Sequence, residues 1–127
     1  MSNELVGKRI LLVDDDRDVV ESLRAALSDT GAEIDAAGDG NEALEKVEAG
    51  KPDLMVLDMM MPKRSGFLVL ESLKKIQKPA DSPKVIVITG NPGVRHRVYA
   101  ESLGADLYMT KPFRMDRLLK AITELLS

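Results

Sequence analysis

A doubly wound α/β fold, (βα)5 around a parallel sheet, is what this sequence predicts, and three features carry the prediction. Short unbroken apolar runs recur along the chain, stretches with helical apolar spacing separate them, and glycines and prolines fall at the junctions. The runs are Ile10-Leu11-Leu12-Val13, Leu54-Met55-Val56-Leu57, Val85-Ile86-Val87-Ile88 and Leu107-Tyr108-Met109. None alternates with polar residues, so each is predicted to be a strand buried on both faces, as in a parallel sheet. Ile34 to Ala37, interrupted by Asp35, is a weaker strand suited to an edge.

Helical stripes lie between the runs. Val20, Leu23 and Leu27 form one, Leu44 and Val47 a shorter one, Phe67, Leu70 and Leu73 a third, and Leu118, Ile122 and Leu125 a fourth. Residues 94 to 103 offer only Val98 and a Tyr99–Leu103 pair, so that helix should be the least well anchored. Asn91, Pro92 and Gly93 before it predict an irregular first turn. Gly31, Gly50 and Gly104 stand where helices should stop, and Pro52 follows the second stop. Ser65 suits the cap of the third helix, and Asp39 or Asn41 that of the second. Lys74 to Lys84, with Pro79 and Pro83, reads as the longest loop. Strand–helix alternation with right-handed crossovers gives a three-layer sandwich, two helices on one face and three on the other.

The chain of 127 residues has the size of one domain, taken as 1–127. It is 44% hydrophobic and 31% charged, the balance of a globular protein and not of a disordered one. Aromatics are only 3%, so aliphatic residues and seven Met must fill the core. The absence of Cys removes disulfides, thiolate metal sites and Cys nucleophiles together. A formal charge of −3 without a Lys/Arg cluster argues against nucleic-acid binding by this chain. No apolar run reaches signal-peptide or membrane-spanning length, so a cytoplasmic location without membrane attachment is expected.

In open parallel sheets, ligand sites form beyond the carboxyl ends of the strands. The residues that end the buried runs are Asp14-Asp15-Asp16, Asp58, Thr89 and Lys111. Carboxylates delivered by neighbouring strands repel one another by roughly 3 kcal/mol per pair at ~5 Å and an effective dielectric of about 20. A hard cation relieves this, and oxygen ligands with retained waters suit Mg²⁺ alongside a phosphate. Taken singly the same residues have ordinary explanations. Asp16 serves equally well as a helix cap, Thr89 as a strand-end hydroxyl and Lys111 as a surface cation. The other aspartates, Asp35, Asp39, Asp53 and Asp106 among them, read as solvated charges. What favours a pocket is that each polar residue directly abuts an apolar run.

The segments Ile10 to Asp16 (ILLVDDD), Leu57 to Phe67 (LDMMMPKRSGF), Ile88-Thr89-Gly90 and Thr110 to Phe113 (TKPF) resemble the receiver domain of bacterial two-component response regulators. Each motif is weak alone; four in order at matching intervals, from about Lys8 to Leu126, are specific. The resemblance implies a flavodoxin-like sandwich with strand order 2-1-3-4-5, for which this family is the usual example. It implies that Asp58 accepts a phosphoryl group from a sensor histidine kinase or a histidine phosphotransfer protein. Asp15 would bind Mg²⁺ (or Mn²⁺) directly, Asp14 through water, and Met60 through its backbone carbonyl. Thr89 and Tyr108 match the switch positions. Lys111 matches the lysine that pairs with a phosphoryl oxygen, with a cis bond to Pro112. Such a protein is a switch and not a turnover enzyme. It would act on a downstream effector protein through helix 4, strand 5 and helix 5, with phosphorylation-dependent homodimerisation left open. His96, the only histidine, has no metal-spacing partner and reads as a surface residue.

Three other functions compete. A non-phosphorylated pseudo-receiver docking module would lack the acceptor, the acidic pair or the lysine, and all are present. A flavodoxin-like cofactor binder needs a Ser/Thr/Gly-rich loop where this chain has three aspartates. A metal-dependent phosphatase with an Asp nucleophile needs a second Asp where Met60 stands.

Overall fold

A computed structural model describes residues 4–59, 61, 65–76, 83–90 and 94–127. Ten elements alternate: β1 (Arg9–Val13), α1 (Arg17–Leu27), β2 (Glu33–Ala37), α2 (Gly40–Gly50), β3 (Leu54–Asp58), α3 (Gly66–Ile76), β4 (Lys84–Thr89), α4 (Val94–Ser102), β5 (Leu107–Thr110) and α5 (Met115–Leu126). All strand pairs are parallel, in the order β2-β1-β3-β4-β5. The predicted architecture and strand order are those observed.

Alternation along the strands builds two cores. Leu11, Val13, Met55, Leu57, Val85 and Val87 face one side, where they meet Ala43 and Val47 of α2, Val69 and Leu70 of α3, and Ala100 of α4. Ile10, Leu12, Leu54, Val56, Ile86 and Ile88 face the other, against Leu23 and Leu27 of α1 and Leu118 and Ile122 of α5. Both side-chain sets of the central strands must therefore be apolar, which is why those runs do not alternate.

Local signals position the helices. Asp16 caps α1 by accepting a hydrogen bond from the Asp18 N–H at 2.9 Å, which settles its role as a cap. Asp39, rather than Asn41, caps α2 through the Glu42 N–H at 2.9 Å. Ser65 Oγ accepts from the Leu68 N–H at 3.4 Å at the start of α3. Each such cap contributes about 1 kcal/mol.

Several expectations need correction. β5 is the second edge of the sheet, and Leu107, Tyr108 and Met109 are only half-buried, because an edge strand is not sealed by neighbours on both sides. α2 continues through Gly50 and ends on Lys51, which takes the left-handed conformation (φ 46°) expected of the glycine. α3 continues to Ile76, so the loop is shorter than Lys74 to Lys84; residues 77–82, Pro79 among them, lie outside the described residues, as do Asn91, Pro92 and Gly93. In α4, Val98 and Tyr99 are 58% and 44% exposed, and the helix rests on fully buried Ala100 instead. Asp53 and Asp106 are not merely solvated: their carboxylates accept from the N–H groups of Arg9 and Val85, both at 2.8 Å, pinning the starts of β1 and β4.

Candidate functional site

Strand register brings the polar strand ends together. Val13 pairs with Leu57, so Asp14 and Asp58 stand level on adjacent strands. Asp58 pairs with Ile88, which puts Thr89 one step beyond it, and Thr89 is paired with Thr110. Lys111 then follows, its N–H donating to the Thr89 carbonyl at 2.7 Å. The peptide bond between Lys111 and Pro112 is cis, as the resemblance implied.

Asp14, Asp58 and Thr89 are the buried polar residues among those described, exposed by 4%, 3% and 1%. Asp15 is exposed, yet one carboxylate oxygen from each of Asp14, Asp15 and Asp58 falls within 4.8 Å of the others. Lys111 Nζ donates to Asp14 Oδ2 at 3.1 Å and stands 3.7 Å from Asp58 Oδ2. Asp14 Oδ1 accepts from the Asp16 N–H at 2.9 Å, which fixes the carboxylate's orientation. Burial alone would lower the Lys111 pKa. The hydrogen bond to Asp14 and the charges of Asp14, Asp58 and Asp16 overcome this and hold the ammonium above its ordinary value.

This donor set fits a hard divalent cation. All three candidate ligands are carboxylate oxygens, one is open to solvent, and their spacing is compatible with the ~4 Å that separates opposite oxygens around Mg²⁺. Among the described residues one ammonium, that of Lys111, stands against Asp14 and Asp58 in this group of three carboxylates, so negative charge is in excess there. Met60, expected to add its backbone carbonyl, lies outside the described residues.

The floor of the site depends on a glycine that sequence reasoning passed over. Gly66 N–H donates to the Met59 carbonyl at 3.2 Å. A Cβ there would sit 2.7 Å from Met59 Cα and 2.8 Å from the Asp58 carbonyl oxygen. Only a glycine lets α3 start this close to the end of β3. Its signal was its place directly after a cap residue and eight residues past Asp58.

Tyr108 lies beside Val87 on β5 and packs, half-buried, against the core that α4 covers. Burial raises its phenol pKa, with the positive charge of Arg97 opposing. His96, expected at the surface, is half-buried with its ring edge-on to Phe67 at 5.6 Å between centroids.

Residues 10–123 match the family model described as the response regulator receiver domain. The chain belongs to that family. It is similar to the response regulator MprA of Mycobacterium leprae, at 45% identity over 93% of this chain and 50% of the relative. The chain thus spans about half the length of the curated relatives it matches. A solved CheY-like receiver domain protein of Methanospirillum hungatei is 34% identical, with a TM-score of 0.86 over 94% of this chain and 93% of its own. The Francisella response regulator 1452 receiver domain superposes with a TM-score of 0.85 at 28% identity, covering 94% and 96%. This receiver therefore has the three-layer fold of its relatives, with an acidic pocket compatible with Mg²⁺ at the carboxyl edge of the sheet. Among the described residues no helix is long and apolar enough to cross a membrane.

Proposed function

We propose that this receiver is a phosphorylation switch whose acceptor is Asp58, and that residues 1–127 act as one domain. A carboxylate oxygen of Asp58 attacks the phosphorus of a phosphohistidine on a histidine kinase or phosphotransfer protein. The P–O bond forms as the P–N bond breaks, and the imidazole nitrogen keeps the electron pair. Mg²⁺ or Mn²⁺, held by Asp14, Asp15, Asp58 and the Met60 carbonyl, would neutralise charge on the transferring group. Lys111 leaves Asp14 and pairs with a phosphoryl oxygen, a move of small distance because it already stands between the two carboxylates. The observation that carries this reading is a buried Asp58 grouped with two further carboxylates and a charged lysine.

The product carries about −1.5 to −2 charges and three acceptor oxygens where one carboxylate stood. Thr89, level with the site and buried, turns its hydroxyl to one of those oxygens. Tyr108 then takes the space released under β4, and the surface of α4, β5 and α5 changes. This is a shift between two packings of one fold. That surface meets the downstream effector, a protein and not a nucleic acid, or a second phosphorylated copy of the chain. The protein acts in the cytoplasm and turns over no substrate but its own phosphoryl group. With Asp58, the acidic pair and Lys111 all in place, nothing favours the pseudo-receiver alternative.

Asp58→Asn tests the reading. Incubation with Mg²⁺ and acetyl phosphate, read as a mobility shift on phosphate-affinity gels, should label the wild type and leave the folded variant unlabelled. Equal labelling of the variant would remove Asp58 as the acceptor.

A further inference from the structure

Helix α4 is poorly held by the core. Its sheet-side contact among described side chains is Ala100, the smallest apolar residue available, and Val98 and Tyr99 are exposed. A second set of contacts ties it sideways to α3. The Phe67 ring meets His96 edge-on at 5.6 Å and Tyr99 in a tilted arrangement at 5.3 Å. The Tyr99 hydroxyl donates to a carboxylate oxygen of Glu71. Phe67 and Glu71 are one turn apart on α3, and His96 and Tyr99 one turn apart on α4, so the two faces meet as a matched pair.

We propose that Phe67 and Glu71 of α3 and His96 and Tyr99 of α4 form a latch that sets how readily α4 leaves its resting position. The inference rests on the switch reading above, since the moving surface includes α4. It deepens that reading by placing the restraint on the α3 side, away from Thr89 and Tyr108. These are positioning residues: none touches the acidic pocket. The position of the latch suits control, because aromatic contacts and one charge-assisted hydrogen bond are directional and are lost together when two helices slide. Among the described side chains of α4 only Ala100 is buried, with Leu103 half-buried on the same core just past the helix end, so little else there resists that slide. The Tyr99 phenol is held above its ordinary pKa first by donating to Glu71, consistent with a bond formed in the resting state.

The test uses the full chain with Tyr99→Phe, which keeps the ring and loses the hydrogen bond, and Phe67→Leu, which keeps bulk and loses both ring contacts. In the unphosphorylated protein, amide hydrogen exchange across α4 should quicken roughly threefold in each variant, while α1 and α5 stay unchanged. Glu71→Leu, which removes the acceptor, should act like Tyr99→Phe, and the double variant should add little to either. Labelling by acetyl phosphate should rise by no more than the same factor if the released state is the reactive one. An absorbance titration should show Glu71→Leu lowering the midpoint of one tyrosine and sparing the other, a change that mere loss of stability would not produce. Unchanged α4 exchange in both Tyr99→Phe and Phe67→Leu overturns the latch. The exchange measurement needs no phosphoryl group, so an unlabelled wild type would defeat the switch reading while α4 exchange still decided the latch.

Discussion

Replacing Lys111 with Met keeps most of the length of the side chain and removes its charge, and the structure sets the size of the effect. At 3.1 Å and an effective dielectric of about 20, the ammonium attracts Asp14 by about 5 kcal/mol. At 3.7 Å it attracts Asp58 by about 4 kcal/mol on the same basis. The three carboxylates, with oxygens within 4.8 Å, repel by at least about 3 kcal/mol per pair. Attraction and repulsion are therefore of similar size, and among the described residues the lysine is what keeps the metal-free pocket near balance. Removing one partner of a buried pair costs about 3–5 kcal/mol. The Lys111 side chain is 29% exposed against 2% for Asp14, so its own desolvation is partial and solvent screens the pair. A loss of about 2–3 kcal/mol is the expected outcome.

For 127 residues the entropy of unfolding is about 0.27 kcal/mol/K, so the melting temperature should fall by about 10 °C. Circular dichroism melts at pH 7 in chelator would show it. Millimolar Mg²⁺ should then raise the variant's melting temperature more than the wild type's. In the wild type the cation must compete with the ammonium for Asp14, and in the variant it does not. Two results would refute the reasoning: a variant within about 2 °C of wild type in chelator, or equal shifts with Mg²⁺ in both proteins.

Gly66→Ala should destabilise by about 2 kcal/mol, or roughly 7 °C, because the added Cβ meets two backbone atoms that cannot step aside. A melt equal to or above wild type would show that α3 can start elsewhere. The Lys46–Asp35 pair, at 3.0 Å, predicts a pH dependence of known sign. For Asp35 burial pushes the carboxyl up, but the hydrogen bond from Lys46, the Ala36 N–H and the charges of Lys46 and Arg24 bring it below its ordinary 3.8. The Lys46 ammonium is raised above 10.5, chiefly by its bond to Asp35 and against burial. The folded state thus gains from Asp35 above pH 3.8, a gain lost as pH falls through the lowered value, and from Lys46 below pH 10.5, lost as pH rises through the raised one. Lys46→Met should cost under about 1 kcal/mol in urea melts at pH 7, since the Asp35 carboxylate is 66% exposed and solvent screens the pair, and less at pH 3. An equal cost at both would deny the pair any role.

The strands and the pocket were legible for one physical reason. In a parallel sheet covered on both faces, the apolar run ends where the strand leaves the core, so Asp58 and Thr89 announced the rim by ending their runs, and Lys111 by following Thr110 at the end of β5. The same rule failed for β5, since Leu107-Tyr108-Met109 is as apolar as a central strand and nothing local says that no strand lies beyond it. Helix α4 was expected to be weakly anchored, and it is, but the anchors differ in part: Leu103 packs on the core as its spacing implied, whereas Val98 and Tyr99 do not. Val98 and Tyr99 looked like anchors, while the contact with the sheet belongs to Ala100, whose small side chain lets the helix backbone lie close. Capping was ambiguous for Asp16 and Asp39 because a cap and a surface charge use the same residue type and differ only in where the carboxylate turns.

What could not be read at all was the pairing of Phe67 with His96 and Tyr99. Those residues are contributed by separate helices, and no period within either one points to the other. An element whose position is written into its own sequence, such as α1 with Val20, Leu23 and Leu27, has one deep resting place. An element held by a small residue beneath and by a neighbour's rings beside it can rest in more than one. The weak apolar stripe of α4 and its contacts with Phe67 are thus two sides of one feature, a helix held more by its neighbour than by the sheet. Its place beside Tyr108, with Arg97 close enough to act on that phenol, puts the movable part of the fold next to the residue through which the buried pocket would reach the surface.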